Sequence, residues 1–236
     1  MERIDKIIAS QGQYSRSEVK KLVKSGRVTL DGSVIKSSDI KADPDKSDIA
    51  IDGKSIRYKK HIYIMLNKPQ GVVSATDDRD HKTVIDLVPK ELKRDGLFPA
   101  GRLDGDTVGF VLITDDGDFA HEILSPKNHI MKTYHATLQR PVTEDDIRAF
   151  SEGVELKDGT LCLEAEVRSL DSDTPMAEIK ICEGKYHQVK RMFAALGNKV
   201  VFLKRVKMGG LSLDETLEEG QCREITTEEL KLIKEK

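Results

Sequence analysis

Between Phe98 and Gly117 the chain reads FPAGRLDGDTVGFVLITDDG, which sets one carboxylate, Asp104, in a glycine-punctuated loop ahead of the apolar run Phe110-Val111-Leu112-Ile113. A loop held from behind by a buried strand is a common way to present a reactive side chain, and a carboxylate so placed can act as nucleophile or base. Asp and Gly are also ordinary turn residues, so plain turn chemistry fits the same letters. Asp106 hints at a metal, because carboxylates at positions one and three and glycine at six would open a calcium loop. Val108 then falls where a ligand belongs, and Phe110 to Thr114 reads as a strand, which excludes calcium. His187 stands alone at the start of a helix, where a structural role is the commoner one. No histidine has a partner at metal-binding spacing, and no H-E-x-x-H, P-loop or dinucleotide fingerprint occurs. Neither a metal nor a cofactor is expected.

A second group of residues suits a polyanion. Ser15-Arg16-Ser17-Glu18 matches the capping box and opens a helix that ends at Gly26, with Val19, Leu22 and Val23 facing inward. Arg16, Lys20, Lys24 and Arg27 follow at spacings of 4, 4 and 3 and share the opposite face. Such a stripe can track a phosphate backbone, each cation releasing condensed counterions as it meets a phosphate. The net charge of -2 hides an asymmetry: residues 1–60 carry 14 Lys/Arg against 9 Asp/Glu, whereas residues 61–236 carry 25 against 32. A basic module on an acidic body points to a polyanionic partner for the module, although a solvated basic face would look the same.

Length and composition fit one large domain or a small and a medium one. No apolar run approaches the ~18 residues of a membrane helix, and the first residues are charged without a signal-peptide core. Cys162, Cys182 and Cys222 lie far apart with no C-x-x-C, so neither a disulfide framework nor a zinc ribbon is expected. A cytoplasmic protein without a membrane partner follows as the default.

The elements that must position these groups are legible in outline. Ile4, Ile7 and Ile8 make one helical face, with Gly12 as a stop. Val28 to Leu30, the pair Asp31-Gly32 and Val34-Ile35 read as a hairpin, and a strand from Asp48 to Ile51 ends at Asp52-Gly53. After a linker around Lys54 to Lys60, strands are expected at His61–Leu66, Lys132–Leu138, Leu161–Leu170, Met176–Cys182 and Val200–Met208. Helices are expected over His121–Leu124, from Thr143 through Phe150, from Gly184 to Gly197 and over Glu228–Lys234. Many strands with few interspersed helices argue for an α+β body on a mostly antiparallel sheet.

The first 55 or so residues resemble the S4 RNA-binding domain, through Arg3-Ile4-Asp5-Lys6, Ser15-Arg16-Ser17 and Gly26-Arg27-Val28 with Asp31-Gly32. Asp104-Gly105-Asp106-Thr107-Val108 also looks like the D-x-D-x-[TV] signature of haloacid dehalogenase phosphotransferases. That motif closes a buried strand, however, and here Pro99 to Leu103 precedes it. A fuller resemblance is to the RNA pseudouridine synthases. Gly101-Arg102-Leu103-Asp104, Thr107, Gly109, Thr114 and Asp116-Gly117 look like their catalytic motif. Met65 to Gly71 resembles the first strand and turn, Lys132-Thr133-Tyr134 the tyrosine motif, and Glu183 to Met192 the basic motif. The wording is nearest the RsuA family of small-subunit enzymes, through Thr76-Asp77-Asp78, Thr114 to Gly117 and Met192 to Ala195. Phe110, where Leu is usual, and Lys204 before Arg205 are departures that do not touch the chemistry.

The resemblance implies an S4-like α/β RNA-binding domain over residues 1–58. A pseudouridine synthase catalytic domain on a mostly antiparallel sheet then follows over residues 59–236. It implies isomerisation of uridine to pseudouridine in ribosomal RNA, 16S rRNA with uridine 516 as the family target, by a monomer acting on RNA or an assembling ribosomal particle. Cutting a glycosidic bond, turning the uracil and rejoining it through C5 oxidises nothing and requires no cofactor. By the resemblance Asp104 is the catalytic carboxylate, Lys190 its cationic partner with Arg191 as the fallback, and Tyr134 the aromatic that stacks on the base. Arg102 then contacts the RNA backbone or fills the gap left by the flipped base. Arg3, Arg16, Lys20, Lys24, Arg27 and Arg191 are the expected RNA-binding residues. A non-catalytic rRNA-binding assembly factor is the alternative, together with the D-x-D phosphatase.

Overall fold

The computed structural model describes residues 1–171 and 174–235. Two compact units result: Met1–Ile62 with Val88–Leu97, and Tyr63–Leu87 with Phe98–Lys236. Arg94 explains why the later segment joins the first unit, since its guanidinium donates to the carbonyls of Lys59 and Lys60 at 3.0 Å each.

In the first unit β1 (Glu2–Arg3) leads into α1 (Ile4–Ser10) and α2 (Arg16–Lys24), followed by β2 (Val28–Leu30), β3 (Ser33–Val34), β4 (Lys41–Ala42), β5 (Ile49–Ile51) and β6 (Lys54–Ser55). The capping box forms, with Ser15 accepting from the Glu18 amide and the Glu18 carboxylate from that of Ser15. Asp31 and Gly32 both take positive φ, 49° and 81°, the pairing a tight turn needs between strands of right-handed twist. The antiparallel order β3-β2-β5-β6 gives a small sheet. Ile4, Ile7, Ile8, Val19, Val23, Val28 and Ile51 close the core beside it.

The second unit holds β7 (Tyr63–Lys68), β8 (Phe98–Ala100), β9 (Val108–Thr114), α3 (Gly117–Leu124), β10 (Lys132–Leu138), α4 (Glu144–Glu152), β11 (Glu166–Ser169), β12 (Met176–Ile181), α5 (Gln188–Ala195), β13 (Val200–Met208), β14 (Leu211–Ser212), β15 (Cys222–Glu224) and α6 (Thr227–Ile233). Its nine-stranded sheet runs β11-β12-β10-β13-β9-β7-β15, with β14 on β13 and β8 on β9. Among the described residues β13 and β9 are the one parallel pair of named strands. Strand β9 is buried at all seven residues, so both its faces are covered, which is why it reads as an unbroken apolar run rather than an alternation. Phe119, Ala120 and Ile123 of α3 and Ile233 of α6 pack with Phe110 and Leu112. Phe150 of α4 meets Phe193 of α5 at 5.0 Å.

Three expectations needed correction. The strand expected over 161–170 shrinks to Glu166–Ser169, because the amides of Cys162 and Ala165 donate to Val154 and Phe150 at the end of α4 instead of to a neighbouring strand. Helix α3 begins four residues earlier than expected, at Gly117, where the Asp116 side chain caps the Phe119 amide. The helix expected from Gly184 begins only at Gln188, since His187 ahead of it is left-handed at φ 48°.

Gly109 fixes the parallel contact between β9 and β13. It pairs with Arg205 at φ 98°, and an added Cβ would lie 2.3 Å from the Arg205 carbonyl oxygen. Gly109→Ala is expected to destabilise the chain by about 2 kcal/mol or more, read as a lowered midpoint in urea unfolding, because backbone must move and the φ is unfavourable for alanine.

Candidate active site

Asp104 sits in the loop that links β8 to β9, and the loop is tied down residue by residue. The Thr107 amide donates to the Asp104 carbonyl at 3.1 Å, closing a turn. Behind it the Ser74 hydroxyl and the Leu103 backbone exchange two hydrogen bonds of 3.0 Å, and the Gly71 amide donates to the Gly105 carbonyl at 2.8 Å. Lys68, at the end of β7, is fully buried and its ammonium donates to the carbonyls of Thr107 at 2.8 Å, Pro69 at 3.1 Å and Gly105 at 3.3 Å. Burial pushes this ammonium down to about 8, while the charges of Asp104 and Asp106 act in the opposite sense. Lys68 and Ser74 therefore fix the loop backbone that aims Asp104. Neither stood out in sequence, because apart from the adjacent Pro69 their partners lie 29 to 39 residues away.

The cation at Asp104 comes from α5. Lys190 Nζ lies 3.1 Å from Asp104 Oδ2 and 2.5 Å from Asp106 Oδ1, so one ammonium serves two carboxylates. Burial works against the Lys190 charge, but its bonds to Asp106 and Asp104 outweigh it and the ammonium is held above its ordinary value. Asp106 lies below the usual carboxylate range because Lys190 donates to it. Asp106 is thus part of the charge cluster, where the sequence offered a metal hint or a supporting or merely loop-forming role. Arg191, one residue on and about 100° around the helix, turns elsewhere and pairs with Asp158. It is therefore not a second partner for Asp104.

The segment before α5 is pinned by Glu183, which accepts from the Leu163 amide at 2.9 Å and Gln188 Nε2 at 3.0 Å, and which pairs with Lys185. This anchoring sets His187 at its left-handed φ, with Nε2 3.5 Å from Asp104 Oδ1 and its ring stacked on Tyr186 at 3.8 Å. His187, read in sequence as structural, therefore also touches the carboxylate.

These groups open onto a cleft of about 930 Å³. Asp104 and His187 stand on its wall, exposed Arg102 at its rim, and Tyr134 of β10, 8% exposed, lines it with Lys132 and Arg205. Asp104, Lys190 and Tyr134 are thus gathered from a loop, a helix and a strand. The D-x-D reading fits poorly, since the two carboxylates share an ammonium and lie in a loop rather than at a strand end. Among the described residues no three His, Cys, Asp or Glu side chains gather as metal ligands.

The remaining candidates lie in the first unit. Arg16, Lys20 and Lys24 are exposed along α2. Arg27 lies beyond the end of that helix with its guanidinium held bidentately by Asp52, and Arg3 is held likewise by Asp5. Of the expected stripe of Arg16, Lys20, Lys24 and Arg27, the last is thus paired with a carboxylate.

Comparison with known proteins gives two family matches, RNA pseudouridylate synthase over residues 62–195 and S4 domain over residues 2–45. The chain is 47% identical over 235 residues to an uncharacterized RNA pseudouridine synthase of Bacillus subtilis, covering 99% of this chain and 98% of the relative. It is 43% identical over 229 residues to the ribosomal small subunit pseudouridine synthase A of Escherichia coli, covering 97% and 98%. A crystal structure of a pseudouridylate synthase superposes with a TM-score of 0.68 at 40% identity, covering 99% of this chain and all of that one.

Proposed function

The chain belongs to the RNA pseudouridylate synthase family, and on that premise we propose that it converts a uridine of small-subunit ribosomal RNA to pseudouridine. The small subunit is suggested by likeness to the ribosomal small subunit pseudouridine synthase A of Escherichia coli, and uridine 516 of 16S rRNA is the target that the family resemblance implies. The observation that carries the reading is the contact of Lys190 with Asp104 in a small pocket that Tyr134 also lines. Asp104 acts on the nucleoside as nucleophile or base, and Lys190 pairs with its charge and holds it in place. Tyr134 stacks on the extruded uracil, and Arg102 at the rim meets the RNA backbone or the gap in the stack. The enzyme works as a cytoplasmic monomer. Among the described residues no helix is long and apolar enough to cross a membrane.

Mapping pseudouridine in the rRNA of a strain lacking the protein tests this reading. One missing site, restored by the wild-type chain, supports it, and an unchanged map overturns it. In the first unit, Arg16, Lys20 and Lys24 meet phosphates. Lys20→Ala with Lys24→Ala is expected to weaken RNA binding and to flatten log K against log salt by about 1.4 to 1.8. An unchanged slope would remove α2 from the RNA interface.

A further inference from the structure

Lys132, Tyr134 and Arg205 make a second charged group, in the cleft but apart from the Asp104 cluster. Lys132 and Tyr134 are two apart on β10 and so face the same way. On β13 the register skips Val206, so that Thr133 pairs with Lys207 and Tyr134 with Arg205. Such a bulge re-aims side chains, and here it puts Arg205 opposite the aromatic. Both cations are nearly inaccessible, Lys132 at 4% and Arg205 at 2% exposure. Among the described residues each has one hydrogen-bond acceptor, and both are neutral carbonyls: Cys182 at 2.9 Å for Lys132 and Phe110 at 2.7 Å for Arg205. The Arg205 Nη2 nitrogen is buried with no partner among the described residues. Glu183, the nearby carboxylate of the cleft lining, is taken up by Leu163, Gln188 and Lys185.

Two buried cations without a carboxylate are costly unless something else supplies the negative charge. Burial, with the neighbouring Arg205 charge, pushes Lys132 down to about 8, the mark of a site lacking a counterion. The reaction itself supplies one. When the bond between C1′ and N1 breaks, its electron pair stays on the uracil and spreads onto O2 and O4. The uracil turns, C5 bonds to C1′, and the proton lost from C5 is matched by one gained at N1.

We propose that Lys132 and Arg205 bind the uracil carbonyl oxygens and stabilise the negative charge that develops on the base while it is detached from the ribose. This rests on the isomerase reading above. Preorganised donors act most strongly where charge appears only in the transition state. The pair therefore belongs to turnover rather than to RNA affinity.

The test compares Lys132→Met and Arg205→Gln with wild type in single-turnover conversion of uridine-containing and 5-fluorouridine-containing rRNA fragments. Loss of the intact nucleoside is followed by mass spectrometry after digestion. Each variant is expected to lose roughly a hundred-fold in rate on uridine, with RNA affinity held. The deficit should be smaller on 5-fluorouridine, whose electron-withdrawing fluorine stabilises the anion unaided. Lys132→Arg and Arg205→Lys keep the charge and should recover part of the rate, which separates this role from a purely packing one. Unchanged turnover in the charge-removing variants, or equal loss on the two substrates, would overturn the proposal while leaving the isomerase reading in place. A wild-type chain that leaves uridine unchanged would overturn both.

Discussion

Asp104→Asn is expected to reduce hydrogen release from C5 of labelled uridine in rRNA by about four orders of magnitude, with RNA affinity and melting temperature retained. The amide keeps the size of the carboxylate and an oxygen that can still accept from Lys190, now 3.1 Å away. The loop is held independently of this side chain, through Lys68, Ser74 and the Gly71 amide. What disappears is the negative charge, and with it both nucleophile and base. Lost turnover with intact binding would be the sign of chemistry removed from a standing site. Label released as fast as by the parent would strip Asp104 of its role. A comparison with Asp106→Asn sharpens the result. Asp106 is more exposed, 63% against 24% for Asp104, and is absent from the lining of the large cleft. Its loss is expected to cost roughly ten-fold or less, through a less firmly placed Lys190.

The fold was legible wherever local chemistry decides it. The capping box at Ser15, the helix start at Thr143, the Asp31-Gly32 turn and the strands Lys132–Leu138 and Val200–Met208 all rest on contacts within a few residues or on an alternation set by the sheet. The two- and three-residue strands β8, β14 and β15 carry too few residues for a period to show, and exist because β9, β13 and β7 offer them partners. The site divides in the same way. Asp104 was visible through its loop, whereas its cation is 86 residues away, and no spacing rule spans that distance. Only the family motif separated Lys190 from Arg191, and the pairing of Arg191 with Asp158 is a tertiary fact. Lys68 reads in sequence as part of the turn after the strand His61–Leu66, although it is a wholly buried ammonium holding three carbonyls. A lysine in sequence reads as surface, and only the carbonyls converging on it allow the exception.

Lys190→Met is the second large effect, and its direction follows from the shared ammonium. Without it, Asp104 and Asp106 face each other with no cation between them, so Asp104 loses both its charge partner and its anchor. Turnover is expected to fall by roughly a hundred- to a thousand-fold, and Lys190→Arg should restore part of it, because a guanidinium can also span two carboxylates. The pH limits of the wild-type cluster follow from the shifts. Asp106 is depressed, so its stabilising contribution is present above the unfolded carboxyl value of about 4 and is lost as pH falls through the lower folded value. Lys190 is raised, so its contribution is present below the unfolded lysine value of about 10.4 and is lost as pH rises through the higher folded value. Between those limits the cluster is intact, and a fall in rate near neutral pH must come from other groups. A Lys190→Met protein with wild-type turnover between about pH 5 and 9 would show that Asp104 works without Lys190, and the electrostatic role assigned to this lysine would be wrong.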